Sequence, residues 1–269
     1  MGKAASATKA LVAASLLAIL LCSCALSGPS VVRGKTNPHA NPHASPIGEL
    51  AVWKLHDLAH VDQPAILLRD SAGIHGVVDT KLLQGVLAIA ERMNEAAGVA
   101  PTPEWIVVGS RSVNAFAFFN EAQPTIAVTL GMIGLLASDD AAWAALLGHE
   151  LAHLRLDHLK RMKSRRDTAE VTSSVAGLIL SAIGLPLGSV VADATSALAD
   201  RAYSRDDERE ADRMGFDYMR RAGFAPQGAI SLHQLLLGTR DSRSMPFLST
   251  HPSGEERIEN LQELIRSGN

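Results

Sequence analysis

Apolar positions along the chain recur with periods that separate helices from strands. Between residues 79 and 97, Leu82, Leu83, Val86, Ile89, Ala90 and Met93 return every three or four places, the spacing of a helix that buries one face. Asp79 stands where a carboxylate can accept from the first free amides, and Gly98 stands where the last turn must close. The pattern then shortens. Residues 105–108 and 125–129 are strand-length runs of branched and aromatic side chains, separated by the apolar-aromatic segment 113–119. Apolar residues on both runs require helices to cover them. A long helix is predicted from Ser138, acting as its cap with Asp139 and Asp140 behind it, to about Met162. No proline interrupts it, and the single Gly148 costs only ~1 kcal/mol relative to Ala. The cluster Lys160, Arg161, Lys163, Arg165 and Arg166 suits the negative end of that helix and otherwise reads as a solvated face. A further amphipathic helix runs through Met214, Phe216, Tyr218 and Met219, and a last one covers residues 255–266.

Two apolar stretches fall outside this scheme. Residues 10–21, preceded by Lys3 and Lys9, are too short to span a bilayer comfortably and read as an export signal. Leu21-Cys22-Ser23-Cys24 follows at once and resembles the lipobox of bacterial lipoproteins, which makes Cys24 the lipidated first residue. Both cysteines lie in this segment, so the rest of the chain makes no internal disulfide. The second stretch, residues 175–192, is broken by Gly184, Pro186 and Gly188, which favours a buried or interfacial helical hairpin over a membrane span. Residues 27–48 are rich in Pro, Asn, Ser and Gly and hold the repeat Asn37-Pro38-His39-Ala40, Asn41-Pro42-His43-Ala44. This composition describes a tether with solvated histidines. The expected organisation is therefore a lipoprotein signal peptide at 1–23, a flexible tether at 24–46 and one folded domain at 47–269. A formal charge of −3 and a pI near 6.4 provide no basic field, so nucleic acid is not an expected partner.

The chemistry concentrates on the long helix, in His149-Glu150-Leu151-Ala152-His153. Residues four apart share a helix face, so both imidazoles can reach one zinc ion, while Glu150 beside them can take a proton from water and return it to a leaving amine. Leu146, Leu147, Leu151 and Leu154 give this helix an apolar backing. A catalytic zinc site takes three protein ligands and keeps a fourth position open. Downstream, Glu208 and Asp212 also stand four apart, which lets Glu208 bind the metal while Asp212 accepts from the far nitrogen of a ligating histidine. Glu210 points elsewhere, towards solvent.

The His149 to His153 motif together with Glu208-Arg209-Glu210-Ala211-Asp212 resembles the gluzincin family of the prenyl-protein endopeptidase and HtpX, metallopeptidase family forty-eight. Within it the sequence is similar to the small periplasmic lipoproteins of the LoiP type. Further matches are Asn114-Ala115-Phe116-Ala117, the run 125–129, His158, and Ser249-Thr250-His251-Pro252 with Arg257. The likeness extends from about residue 79 to the end. It implies an α+β fold, a mainly helical zincin-type domain with a small β-sheet beside the motif helix. It implies one Zn2+ per chain on His149, His153 and Glu208, Glu150 as general base, and Asp212 steadying a ligand from behind. Leu130-Gly131-Met132 lacks a basic residue often present there, and no tetratricopeptide scaffold is expected after the peptidase domain. Three roles stay open for His251: oxyanion donor, cap on the zinc, or structural residue supported by Arg257. His158 is expected to be structural. The implied activity is a zinc metalloendopeptidase acting on misfolded or unassembled cell-envelope proteins, with unfolded or extended polypeptides as partners. Residues 125–129, if they form a sheet edge, would bind such chains by strand addition. The alternative is a zinc-containing chaperone or assembly factor, against which the intact Glu150 argues. The expected location is the bacterial envelope, lipid-anchored at Cys24; Ala25 carries no acidic retention signal, which points to the outer membrane facing the periplasm.

Overall fold

The computed structural model describes residues 45–47, 50–70, 73–120, 122–166, 203–239, 245–252 and 255–268. The expected signal peptide, Cys24, nearly all of the tether and the stretch 175–192 lie outside these residues. The described elements are β1 (Ser45–Ile47), β2 (Leu50–Lys54), α1 (Leu55–Ala59), β3 (Ala65–Asp70), β4 (Gly73–Asp79), α2 (Thr80–Ala97), β5 (Glu104–Val108), β6 (Ala115–Asn120), β7 (Gln123–Thr129) and α3 (Leu130–Leu136). They continue with α4 (Asp140–Arg155), α5 (His158–Arg166), α6 (Arg205–Arg221), α7 (Gln227–Gly238), α8 (Pro246–Thr250) and α9 (Glu255–Ser267). The architecture is α+β and mainly helical, as the resemblance implies. Among the described residues, no helix is long and apolar enough to cross a membrane.

Helix α2 forms for the reasons visible in its sequence. The Asp79 carboxylate accepts from the Leu82 amide at 3.1 Å, and Gly98 closes the helix at φ +63°. Leu83, Val86, Ile89, Ala90 and Met93 are buried, and the helix packs on α4.

The main sheet has the order β1-β2-β5-β7-β6, with β5 and β7 parallel and the other pairs antiparallel. Strand β6 lies in the segment that the sequence marks only as apolar and aromatic. Its run shows no polar alternation because both sheet faces are covered. Phe116 and Phe118 join Val52, Ile106, Val108 and Ala127 on one face, while Ala115 and Ala117 enter the main core on the other. The expectation that residues 125–129 form an edge is corrected here. Strand β7 is paired on both sides, by β5 and β6, so among the described residues β6 is the edge at that end.

The single helix expected from Ser138 to Met162 is two helices. Asp139, not Ser138, caps α4, its carboxylate accepting from the Ala142 amide at 2.9 Å. Ala137, at φ +45°, reverses the chain just before, and the Trp143 indole donates to its carbonyl at 2.9 Å. At the other end Asp157 adopts φ +51° and α5 starts anew at His158. Every residue of α4 from Ala142 to Leu154 is buried, since α2, α6, α7, β6 and β7 surround it. A helix enclosed on all sides has no solvent-facing polar stripe, so its polar residues His149, Glu150 and His153 are buried as well.

Candidate metal centre

Helix α4 presents His149, Glu150 and His153 on adjoining positions of the central helix. Helix α6 begins with a reciprocal cap: Ser204 accepts from the Asp207 amide at 3.1 Å, and the Asp207 carboxylate accepts from the Ser204 amide at 3.2 Å. This start places Glu208 in the first turn and Asp212 one turn later, on the face towards α4. The two helices cross at glycine. A Cβ on Gly215 would stand 2.9 Å from backbone atoms of Gly148 and His149, so only glycine permits this approach. The third contribution follows α8, where the His251 amide donates to Phe247 at 2.8 Å and its ring stacks on Phe247, centroids 4.6 Å apart.

These segments bring four side chains together. Nε2 of His149 lies 2.9 Å from Nε2 of His153 and 3.6 Å from Glu208, and His153 Nε2 lies 3.3 Å from Glu208. Nδ1 of His251 lies 3.3 Å from His149 Nε2 and 3.1 Å from Glu208. One ligand atom from each of the four falls within 4.8 Å of all the others, and all four residues are buried. Ligands about 2.0–2.1 Å from a tetrahedral ion stand about 3.3 Å from one another, which these separations bracket.

The hydrogen bonds behind the cluster fit a cation as well. The Nδ1–H of His149 donates to Asp212 at 3.0 Å, which leaves Nε2 as a lone pair directed into the cluster. Asp212 is in turn gripped by Arg257, through Nε at 2.6 Å and Nη2 at 2.5 Å, while Arg257 Nη1 donates to Glu208 at 2.5 Å. Arg257 thus supports the two carboxylates directly, and reaches the His251 segment through the Pro252 carbonyl at 3.2 Å. Burial raises the pKa of Glu208, but the charges of His251 and Arg257 outweigh it and hold the carboxyl well below its ordinary range. An ionised carboxylate and converging imidazole lone pairs, all out of water, are a donor set suited to a divalent metal.

Among the described residues, Glu150 differs from Glu208 in having no arginine bonded to it. Both its oxygens are buried, and burial pushes its pKa up against the pull of His251 and His149 and a backbone hydrogen bond from Ala117. His251 Nε2 is 3.5 Å away. A buried carboxylate whose pKa is raised, beside a cluster that could hold a metal ion, is placed to take up a proton.

The sequence-predicted residues His149, Glu150, His153, Glu208, Asp212 and His251 therefore assemble in one place. Cys24 lies outside the described residues, as do His39 and His43. Glu210, expected in solvent, is half-exposed and bonded to Arg161 at 2.9 Å and to His158 at 3.4 Å. His158 itself is buried against His153. Two neighbours carried no sequence signal of their own. Tyr203 stacks on His153 with centroids 3.9 Å apart, and His233 sits 4.0 Å behind Asp212, its pKa pushed down to about 4 by burial and by Arg257. Neither belongs to a spaced motif, and only the packing of α7 and of the residue before α6 reveals them.

Comparison with known proteins agrees with this geometry. The model for peptidase family M48 matches residues 82–265. Metalloprotease YcaL of Escherichia coli (strain K12) is 31% identical over 163 residues, which cover 58% of this chain and 59% of that protein. The beta-barrel assembly-enhancing protease of the same organism is 28% identical over 200 residues, covering 71% of this chain and 40% of the relative. Metalloprotease LoiP of Escherichia coli (strain K12) is 27% identical over 158 residues, covering 57% of this chain and 59% of the relative. The chain thus matches 40% to 59% of the length of these three relatives.

Proposed function

This chain belongs to peptidase family M48, and on that premise we propose that it is a zinc-dependent endopeptidase that hydrolyses misfolded or unassembled proteins of the bacterial cell envelope. The observation that carries the proposal is the fully buried Glu150 carboxylate beside the converging His149, His153 and Glu208. Bound by those three residues, zinc would supply the Lewis acidity that polarises a scissile carbonyl and acidifies an attacking water. Glu150 takes the proton of that water at its carboxylate and returns it to the leaving nitrogen. Asp212 holds His149 in the tautomer that directs the Nε2 lone pair into the cluster, Arg257 holds Asp212 ionised, and His251 with Arg257 holds Glu208 ionised. His251, with Nδ1 within hydrogen-bond distance of Glu208, fits a fourth ligand that closes the site at rest.

An extended substrate fits the outer edge of β6, which no other strand pairs among the described residues and which runs beside α4 with main-chain groups in a row. Recognition through the main chain suits substrates without a fixed sequence. The envelope setting draws on the printed name of one relative, a beta-barrel assembly-enhancing protease, and on the lipobox-like Leu21 to Cys24. Acylation of Cys24 would anchor the enzyme at the periplasmic face of the outer membrane. Palmitate labelling should reach the wild type and not Cys24→Ser; equal labelling of both would remove the anchor.

Zinc analysis and cleavage of casein, on wild type and Glu150→Gln, test the activity. The variant should keep its zinc and lose ~100- to 10,000-fold in rate, because the amide retains the shape of the base without its proton affinity. A zinc-loaded wild type that cleaves no unfolded protein would favour the chaperone or assembly factor instead, a role with no use for Glu150.

A further inference from the structure

On an unbroken helix the residue five places after His153 is turned about 140° away from it, so His158 would face a different side of α4. It does not, because the helix ends between them. Asp157 stands at φ +51°, a left-handed conformation that asparagine and aspartate tolerate better than other side chains and that still costs of order 1 kcal/mol. The chain restarts at once, with the amides of Lys160 and Arg161 both donating to the Asp157 carbonyl at 3.1 Å. The reversal returns His158 beneath His153, where it is fully buried with Nδ1 2.8 Å from Nδ1 of His153.

Two nitrogens at that distance share one proton. If His153 binds a metal through Nε2, its proton is on Nδ1, and His158 Nδ1 must be the acceptor. The remaining proton of His158 is then on Nε2, which faces Glu210 at 3.4 Å and Asp207 at 3.9 Å. Both carboxylates are held by Arg161, at 2.9 Å and 3.7 Å. Every atom in this chain has one consistent role, from the surface arginine to the cluster.

We propose that His158 is a positioning residue for the metal centre: it accepts the Nδ1 proton of His153 and so orients the Nε2 lone pair of that ligand, as Asp212 does for His149. The inference rests on the reading of His149, His153 and Glu208 as metal ligands. The strained turn at Asp157 exists, on this account, to bring the acceptor back to its ligand.

The test is the zinc affinity of the purified full-length chain, measured by competition with a chromophoric chelator, together with melting of the metal-free proteins. His158→Phe keeps a ring without an acceptor and should bind zinc ~10- to 100-fold more weakly while remaining folded. His158→Asn sets an oxygen near the place of Nδ1 and should restore affinity to within about threefold of wild type. Asp157→Gly, which enters the left-handed region without strain, should bind as wild type does. In zinc-loaded wild type, nitrogen-15 spectra of the histidines should show His158 protonated on Nε2 alone. A folded His158→Phe with wild-type affinity, an Asn variant as weak as Phe, or a His158 protonated on Nδ1 would each overturn the proposal. If His158→Phe does not fold, the wild-type spectrum decides. Wild type that binds no zinc would overturn the metal-site reading itself, a result distinct from all of these.

Discussion

The imidazole of His251 touches both halves of the site, with Nδ1 3.1 Å from Glu208 and Nε2 3.5 Å from Glu150. A side chain in that position competes with substrate for the space in front of the base. The element before it is slight: α8 spans five residues, and the ring is held by its stack on Phe247, by the nearby Tyr203, 5.1 Å between centroids, and by the Glu208 carboxylate at 3.1 Å. If it caps the metal at rest, His251→Ala should raise basal casein cleavage several-fold with zinc content unchanged, since an internal ligand no longer holds the fourth position. The opposite sign, a slower turnover equivalent to ~3 kcal/mol at most, would assign it to the oxyanion. Unchanged cleavage and zinc would leave it structural. Glu150 and Glu208 show how the same residue type diverges a few ångströms apart: burial raises both carboxyls, and the charges of His251 and Arg257 together reverse the outcome for Glu208, while His251 and His149 do not for Glu150.

Between elements, the crossing of α4 and α6 sets the distance from the histidines to Glu208 and Asp212. The steric limit there is backbone against backbone. Gly215→Ala gains helix propensity of ~1 kcal/mol but meets Gly148 and His149 main-chain atoms at 2.9 Å, which cannot rotate away. The clash should win, with a net loss of about 1–3 kcal/mol in chemical denaturation and weaker zinc binding as Glu208 is pushed from His149. Gly85→Ala in α2 is the control, because nothing lies within 4 Å of its added Cβ, and it should stabilise the protein by up to about 1 kcal/mol. The same sign in both variants would show that the close crossing is not what requires glycine. From the sequence, Gly148 is only a tolerated flaw in a helix.

Across the whole molecule, the candidate ligand set joins α4, α6 and the segment after α8, with His149 and His251 102 residues apart in sequence. A metal bound only in the folded state stabilises it by about 2.7 kcal/mol when its free concentration is a hundred times its dissociation constant. Treatment with a chelator should therefore lower the melting temperature by roughly 5–10 °C, reversibly on adding zinc. An unchanged melting curve would mean that the cluster binds no metal of consequence. Much of this was already decided locally. Helix α2, strands β5 and β7, α9 and the i, i+4 pairs His149/His153 and Glu208/Asp212 rest on periodicity, capping and spacing, which act within a few residues and are written in order along the chain. The rest depended on partners distant in sequence. Strand β6 has no alternation because two different clusters cover its faces, and β7 is interior only because β6 pairs with it. The helix break at Asp157 has no glycine or proline to announce it, since what it serves is the contact of His158 with His153. Arg257 reads as a support for His251 until α9 docks and sets it on Asp212 and Glu208. Local spacing named the candidate ligands and the candidate base; tertiary packing decided which of them face each other, because that depends on how closely the elements approach.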